Sequence, residues 1–132
     1  MWAAIIIFLV FVAVSTLLFR YTTILAGRMV GKKIEKTHRA AEHIISTKMP
    51  PEDWLEKWKK KIESVKKKSN DADKINELKL KARDDSLKKL SSLVKYFENS
   101  DLVADEETRK IILEELAEAD RLWKENWSEV EL

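Results

Sequence analysis

The 132-residue sequence contains no cysteine. Disulfide frameworks, thiolate nucleophiles and cysteine-ligated zinc or iron–sulfur centres are therefore excluded. Glycine and proline are scarce, two of each. They form no glycine-rich phosphate loop and no Gly-x-Ser-x-Gly elbow, and they leave few places for tight turns. The only histidines, His38 and His43, do not share a helix face, so imidazole chemistry has little to build on. These absences predict a chain that is not an enzyme and carries no cofactor.

Charge is missing from one stretch altogether. Trp2 to Phe19 (Trp-Ala-Ala-Ile-Ile-Ile-Phe-Leu-Val-Phe-Val-Ala-Val-Ser-Thr-Leu-Leu-Phe) has no ionisable side chain, glycine or proline. As a helix it is about 27 Å long, close to the hydrocarbon thickness of a bilayer. Residues 1–26 read as a transmembrane anchor, with Arg20 snorkelling to the headgroups and Trp2, Phe19 and Tyr21 at interfacial positions. A cleaved signal peptide fits less well. It would have basic residues before a shorter apolar core, whereas here they follow a long one, and Ala13-Val14-Ser15 is the sole small-x-small cleavage candidate. A buried helix that is apolar on all sides would need a far larger protein around it. After the span, Arg20, Arg28, Lys32, Lys33, Lys36 and Arg39 face Glu35 alone. The positive-inside rule then predicts the N-terminus outside and the C-terminal part in the cytoplasm.

What remains is rich in charge, 36% of the whole chain, with Lys, Glu, Leu and Ala prominent. That composition predicts an all-α fold: one N-terminal transmembrane helix followed by a small helical bundle or hairpin with coiled-coil-like stripes. Residues 20–68 carry a balance of +8 and residues 69–132 a balance of −6. The basic half suits anionic lipid headgroups.

Residues 27–49 read as a basic juxtamembrane helix with a narrow stripe through Val30, Ile34, Thr37 or His38, Ala41, and Ile44 or Ile45. Gly27-Arg-Met-Val-Gly31 has the spacing of close-packing membrane helices, but charged residues flank it. Met49-Pro50-Pro51 ends that helix and starts the next, since Pro51 presets the first turn and Glu52 and Asp53 suit a helix N-terminus. Residues 50–132 then read as a helical soluble domain with helices at about 51–68, 72–98 and 105–128. The turns fall at Ser69-Asn-Asp-Ala-Asp73 and Asn99-Ser-Asp101. In the second of these helices the stripe drifts: Ile75, Leu78 and Ala82 begin one face, Leu87, Leu90, Val94 and Phe97 continue another, and Asp84-Asp85-Ser86 marks the change. A kink and a change of neighbours both explain that pattern.

Trp54-x-x-x-Trp58 and Trp123-x-x-x-Trp127 each place two indoles on one helix face. Both pairs read as core, or as contact surfaces. For a protein partner or a second copy of the chain, the candidate residues are Ile112, Leu116, Trp123 and Trp127, provided the core does not consume that stripe. For lipid they are Arg20, Arg28, Lys32, Lys33, Trp54, Trp58, Lys59 and Lys60. Glu35-x-x-His38 with Glu42 has metal-ligand spacing but lacks the second Glu-x-x-His of carboxylate-bridged sites, so no metal is expected. The lysine runs lack an arginine fork or aromatic platform, so nucleic acid is not an expected partner. The function expected is a single-pass membrane-anchored adaptor or scaffold that recruits or organises a protein partner at the cytoplasmic membrane face. The alternatives are an oligomerising envelope-side stalk and a non-catalytic anchoring subunit of a membrane enzyme complex.

Overall fold

A computed structural model describes residues 1–103 and 105–132. Among the described residues there are four α-helices: α1 (Trp2–Thr47), α2 (Glu52–Lys68), α3 (Ala72–Asn99) and α4 (Glu106–Glu125), followed by a 3₁₀ turn at Trp127–Glu129. Among the described residues there is no strand. The fold is all-α: a long apolar N-terminal helix, then bundle-like helical packing. The chain divides into two compact units, Met1–Lys36 and Thr37–Leu132.

In the first unit every residue up to Lys33 is exposed, including Phe8, Phe11, Leu17 and Phe19. Its most apolar 18-residue window has a mean hydropathy of 2.7 with none of the window buried. The threonine hydroxyls in this segment are satisfied by the helix itself. Thr16 donates to the Val12 carbonyl at 2.8 Å, Thr22 to Phe19 at 2.8 Å and Thr23 to Arg20 at 2.9 Å, so these side chains can enter an apolar medium without an orphan donor. Space around Gly27 and Gly31 is open.

The second unit builds its own core, and the end of α1 belongs to it. Ala40, Ala41 and Ile44 are buried, whereas Val30 is 58% exposed and Ile34 half-buried. The juxtamembrane stripe is thus a packed stripe only in its last part. His38 marks where packing begins: its ring meets Tyr96 and Phe97 of α3 edge-on, at 5.7 and 5.3 Å between centroids.

α1 stops at Thr47 because Lys48 takes the left-handed conformation (φ 57°) and returns its N–H to the Ile44 carbonyl at 2.8 Å. That turn aims the Lys48 carbonyl at Trp123, whose indole Nε1–H donates to it at 2.8 Å. The Lys48 ammonium meanwhile pairs with Glu115 of α4. Pro50 and Pro51 are buried, and α2 starts after Pro51 with Glu52 and Asp53 in its first turn, where carboxylates favour the helix dipole.

Leu55, Trp58 and Ile62 form the buried stripe of α2. Asp71 opens α3, its carboxylate accepting from the N–H groups of Asp73 and Lys74. α3 runs without interruption. Ile75, Ala82, Ser86, Leu90, Leu93 and Phe97 are buried along it, steps of three, four and seven that make one continuous stripe. Where the sequence stripe drifts the helix stays continuous and meets different neighbours: α3 packs against both α2 and α4, and Ser86, fully buried, is the small residue that carries the stripe past Asp84 and Asp85. Asp105 caps α4, accepting from Thr108 N–H at 2.6 Å. Arg109 reaches back to the Phe97 and Glu98 carbonyls at 3.0 and 2.9 Å, placing a cation at the α3 C-terminus.

Trp127 is not on the last helix. The chain leaves helical geometry at Asn126 (φ −128°, ψ 41°), which lets the Trp127 indole donate to the Lys79 carbonyl of α3 at 2.9 Å and brings Val130 into the core.

Residues 37–132 expressed alone should unfold cooperatively in urea. A chain starting at residue 50 lacks Ala41, Ile44 and the Lys48 carbonyl, and should lose at least about 3 kcal/mol, from one large apolar side chain and one buried hydrogen bond. Equal urea midpoints for the two fragments would show that the end of α1 adds nothing to the core.

Candidate functional site

Of the two sets of candidate contact residues, the bundle packs half internally: Ile112, Leu116, Trp123, Trp127, Trp54 and Trp58. In α4 and beyond it, Leu116 is 0%, Trp123 2% and Trp127 8% exposed, and Ile112 packs half-buried against the same cluster. This stripe closes the core and is not a free face. Trp123 sits between Trp54 and Trp127, edge-on to both at 6.4 and 6.3 Å, an arrangement that favours the ring quadrupoles as well as burying area.

Of the lipid candidates, Arg20, Arg28, Lys32 and Lys33 lie exposed on α1. Those on α2 are placed differently. Trp54 is half-buried against the core and Trp58 is 8% exposed, so neither indole is free to dip into a bilayer. Lys59 pairs with Glu52 and Lys60 with Glu56, each at 2.6 Å.

Trp58 organises a small electrostatic cluster that spacing alone does not reveal. Its Nε1–H donates to the Asp85 carboxylate of α3 at 2.9 Å. Lys89 pairs with the same Asp85 oxygen at 3.0 Å. The ammonium groups of Lys57 and Lys61 lie 4.8 and 4.9 Å from the centre of the Trp58 ring, where the π face attracts cations. Lys57 and Lys61 stand one residue before Trp58 and three after it, spacings that bring both within reach of its ring on a helix. Asp85 has no such signal, since it comes from another helix.

Partial burial opposes ionisation of Asp85. The Trp58 and Lys89 hydrogen bonds and the charges of Lys89 and Lys57 outweigh it, and hold the carboxyl below the usual aspartate range. The exposed carboxylates of Glu56, Glu63 and Glu77 are likewise lowered, each by a hydrogen bond from the lysine one turn on and by its charge. Glu118 is lowered by the hydrogen bond from Arg121. All these groups are held more firmly ionised, the reverse of what a general acid at neutral pH requires.

His38 Nε2 lies 3.1 Å from the Tyr96 hydroxyl, so the Glu35, His38, Glu42 spacing leads into an aromatic contact. Among the described residues no three His, Asp or Glu side chains gather closely enough to hold a metal ion. Comparison with known proteins finds no matching family model, no matching curated protein and no matching solved structure.

The Asp85 cluster makes stability depend on pH in a defined direction. A carboxyl whose folded pKa lies below its unfolded value of about 3.9 contributes stability above that pH and loses it as pH falls through the folded value. Asp85→Asn keeps an acceptor for Trp58 but cannot titrate. Urea unfolding of residues 37–132 followed from neutral pH to about pH 2 should therefore show a shallower acid loss in the variant than in the native sequence; parallel curves would remove Asp85 from the account.

Proposed function

We propose that the chain is a single-pass membrane protein whose N-terminal helix anchors a helical adaptor, and that the adaptor recruits or organises a protein partner at the cytoplasmic face of the bilayer. The observation that carries this reading is the apolar window of α1, with a mean hydropathy of 2.7 and no buried residue. A helix of that length and composition has a natural solvent in lipid. The basic residues from Arg20 to Arg39 support an inward C-terminal part.

A second support is the independence of the core. Thr37–Leu132 encloses its own hydrophobic cluster, as a recruiting module on an anchor needs. With Leu116, Trp123 and Trp127 inside, a partner must use what the core leaves outside. On α4 that surface includes exposed Ile111 and a shallow depression lined by Arg109, Lys110, Leu113, Glu114 and Ala117, small and mixed in charge, as suits a regulated contact more than an obligate one.

The full chain, tagged and purified from its own membranes in mild detergent, should bring down a defined partner that a chain ending at residue 36 does not. A phosphatase reporter fused at the C-terminus should be inactive. An active phosphatase there would place the bundle outside and favour the envelope-side stalk; equal recovery of all proteins by both chains would count against an adaptor.

A further inference from the structure

The lysines of α2 are not equivalent. On one side of the helix Lys60 and Lys67 are neutralised by Glu56 and Glu63 at 2.6 and 2.7 Å, and Lys59 by Glu52. The cations of α4 are matched in the same way: Arg109 with Glu106, Lys110 with Glu114, Arg121 with Glu118 and Glu125, and Lys124 with Asp120. Lys57, Lys61 and Lys68 differ, and so does Lys66, which helical spacing puts on the opposite face. With Ser64 the first three step by four, three and four residues along α2, which puts all four on one stripe. All four are exposed, and among the described residues none of the three lysines has a carboxylate within ion-pair distance. Asp85, across the helix pair, feels the charge of Lys57 but takes its hydrogen bonds from the Trp58 indole and from Lys89.

Two of these cations are also held in place. The Trp58 ring fixes the ammonium groups of Lys57 and Lys61 at 4.8 and 4.9 Å from its centre, and Trp58 is itself buried and hydrogen-bonded. Holding the side chains beforehand reduces the entropy lost when they meet a ligand. The stripe offers charge without an inserting apolar group, because Trp54 and Trp58 face inward.

We infer that Lys57, Lys61 and Lys68 form a docking stripe for the anionic phospholipid headgroups of the bilayer that holds α1, binding by charge alone. This deepens the membrane reading proposed above and rests on it. A row of unpaired ammonium groups matches a plane of anionic headgroups, and a module joined covalently to a span meets that plane at high effective concentration. Each lysine near such a surface shifts the docked-to-undocked ratio by about fivefold, and the shift fades as salt shortens the Debye length.

The test is a lysine acetylation footprint on the full chain in nanodiscs, read by mass spectrometry. At low salt, discs containing phosphatidylserine should protect Lys57, Lys61 and Lys68 several-fold relative to phosphatidylcholine discs, while Lys110 and Lys124 react equally in both. High salt should abolish the protection. Ser64→Glu places a carboxylate beside Lys61 and Lys68 at helical spacing and should remove it, whereas Ser64→Gln should retain it. Equal reactivity in the two lipids, or protection that survives Ser64→Glu, would overturn the inference, as would protection by polyglutamate but not by phosphatidylserine, which would assign the stripe to an acidic protein. A chain that enters neither disc would overturn the span itself; one that enters both without a lipid difference would overturn only the stripe.

Discussion

The constraint on which the whole structure depends is an apolar surface that the protein does not cover. From Trp2 to Val30 the large side chains of α1 are between 43% and 82% exposed. Burying one side chain of this kind is worth about 1.5–3 kcal/mol, so leaving a dozen or more in water forgoes tens of kcal/mol. A domain of this size has a net stability of about 5–15 kcal/mol. The few large apolar side chains left exposed beyond the first helix, Leu80, Leu102 and Ile111, are too few to recover such an amount, because most of the others are already committed to the core of Thr37–Leu132. The N-terminal helix is long and apolar enough to cross a membrane, and its threonine hydroxyls, bonded back to their own helix, suit a medium that offers no hydrogen bonds.

The second unit solves a different problem: how a small domain without disulfides fixes three amphipathic helices and the end of a fourth. Indole N–H groups do much of this. Trp58 ties α2 to α3 through Asp85, Trp123 ties α4 to the α1–α2 turn through the Lys48 carbonyl, and Trp127 ties the C-terminal turn to α3 through the Lys79 carbonyl. Each ring buries apolar area while its polar edge finds a partner, so the large side chains enter the core without leaving a donor unsatisfied. What is left at the surface is mainly charge, arranged as intrahelical pairs on α4 and as a partly unpaired row on α2. Specificity on such a surface comes from electrostatics more than from apolar burial.

Much of this fold is legible in the residue order. The three- and four-residue steps through Leu55, Trp58 and Ile62, the double proline at 50 and 51, and the polar turns at 69–73 and 99–101 all act locally, so spacing and residue type suffice to place α2, α3 and α4 close to where they lie. The candidate site was less legible. An amphipathic stripe that packs into a core and one that waits for a partner have the same period, so Leu116 and Trp123 could be assigned only once their neighbours were known. The acceptors for Trp123 and Trp127 are backbone carbonyls, which carry no sequence signature at all. Trp127 shows a further limit: its four-residue spacing from Trp123 suggests a shared helix, yet the chain has already turned at Asn126, and only the tertiary contact with α3 explains why.

Alkaline carbonate extraction of membranes from cells expressing the full chain tests the central claim most directly. High pH strips proteins held by charge but leaves spanning helices in the pellet, so the chain should sediment with the membranes and enter the supernatant only when detergent is added. Release of the intact chain by carbonate alone would contradict the account, for it would mean that the apolar surface of Trp2 to Phe19 is covered by something other than the bilayer.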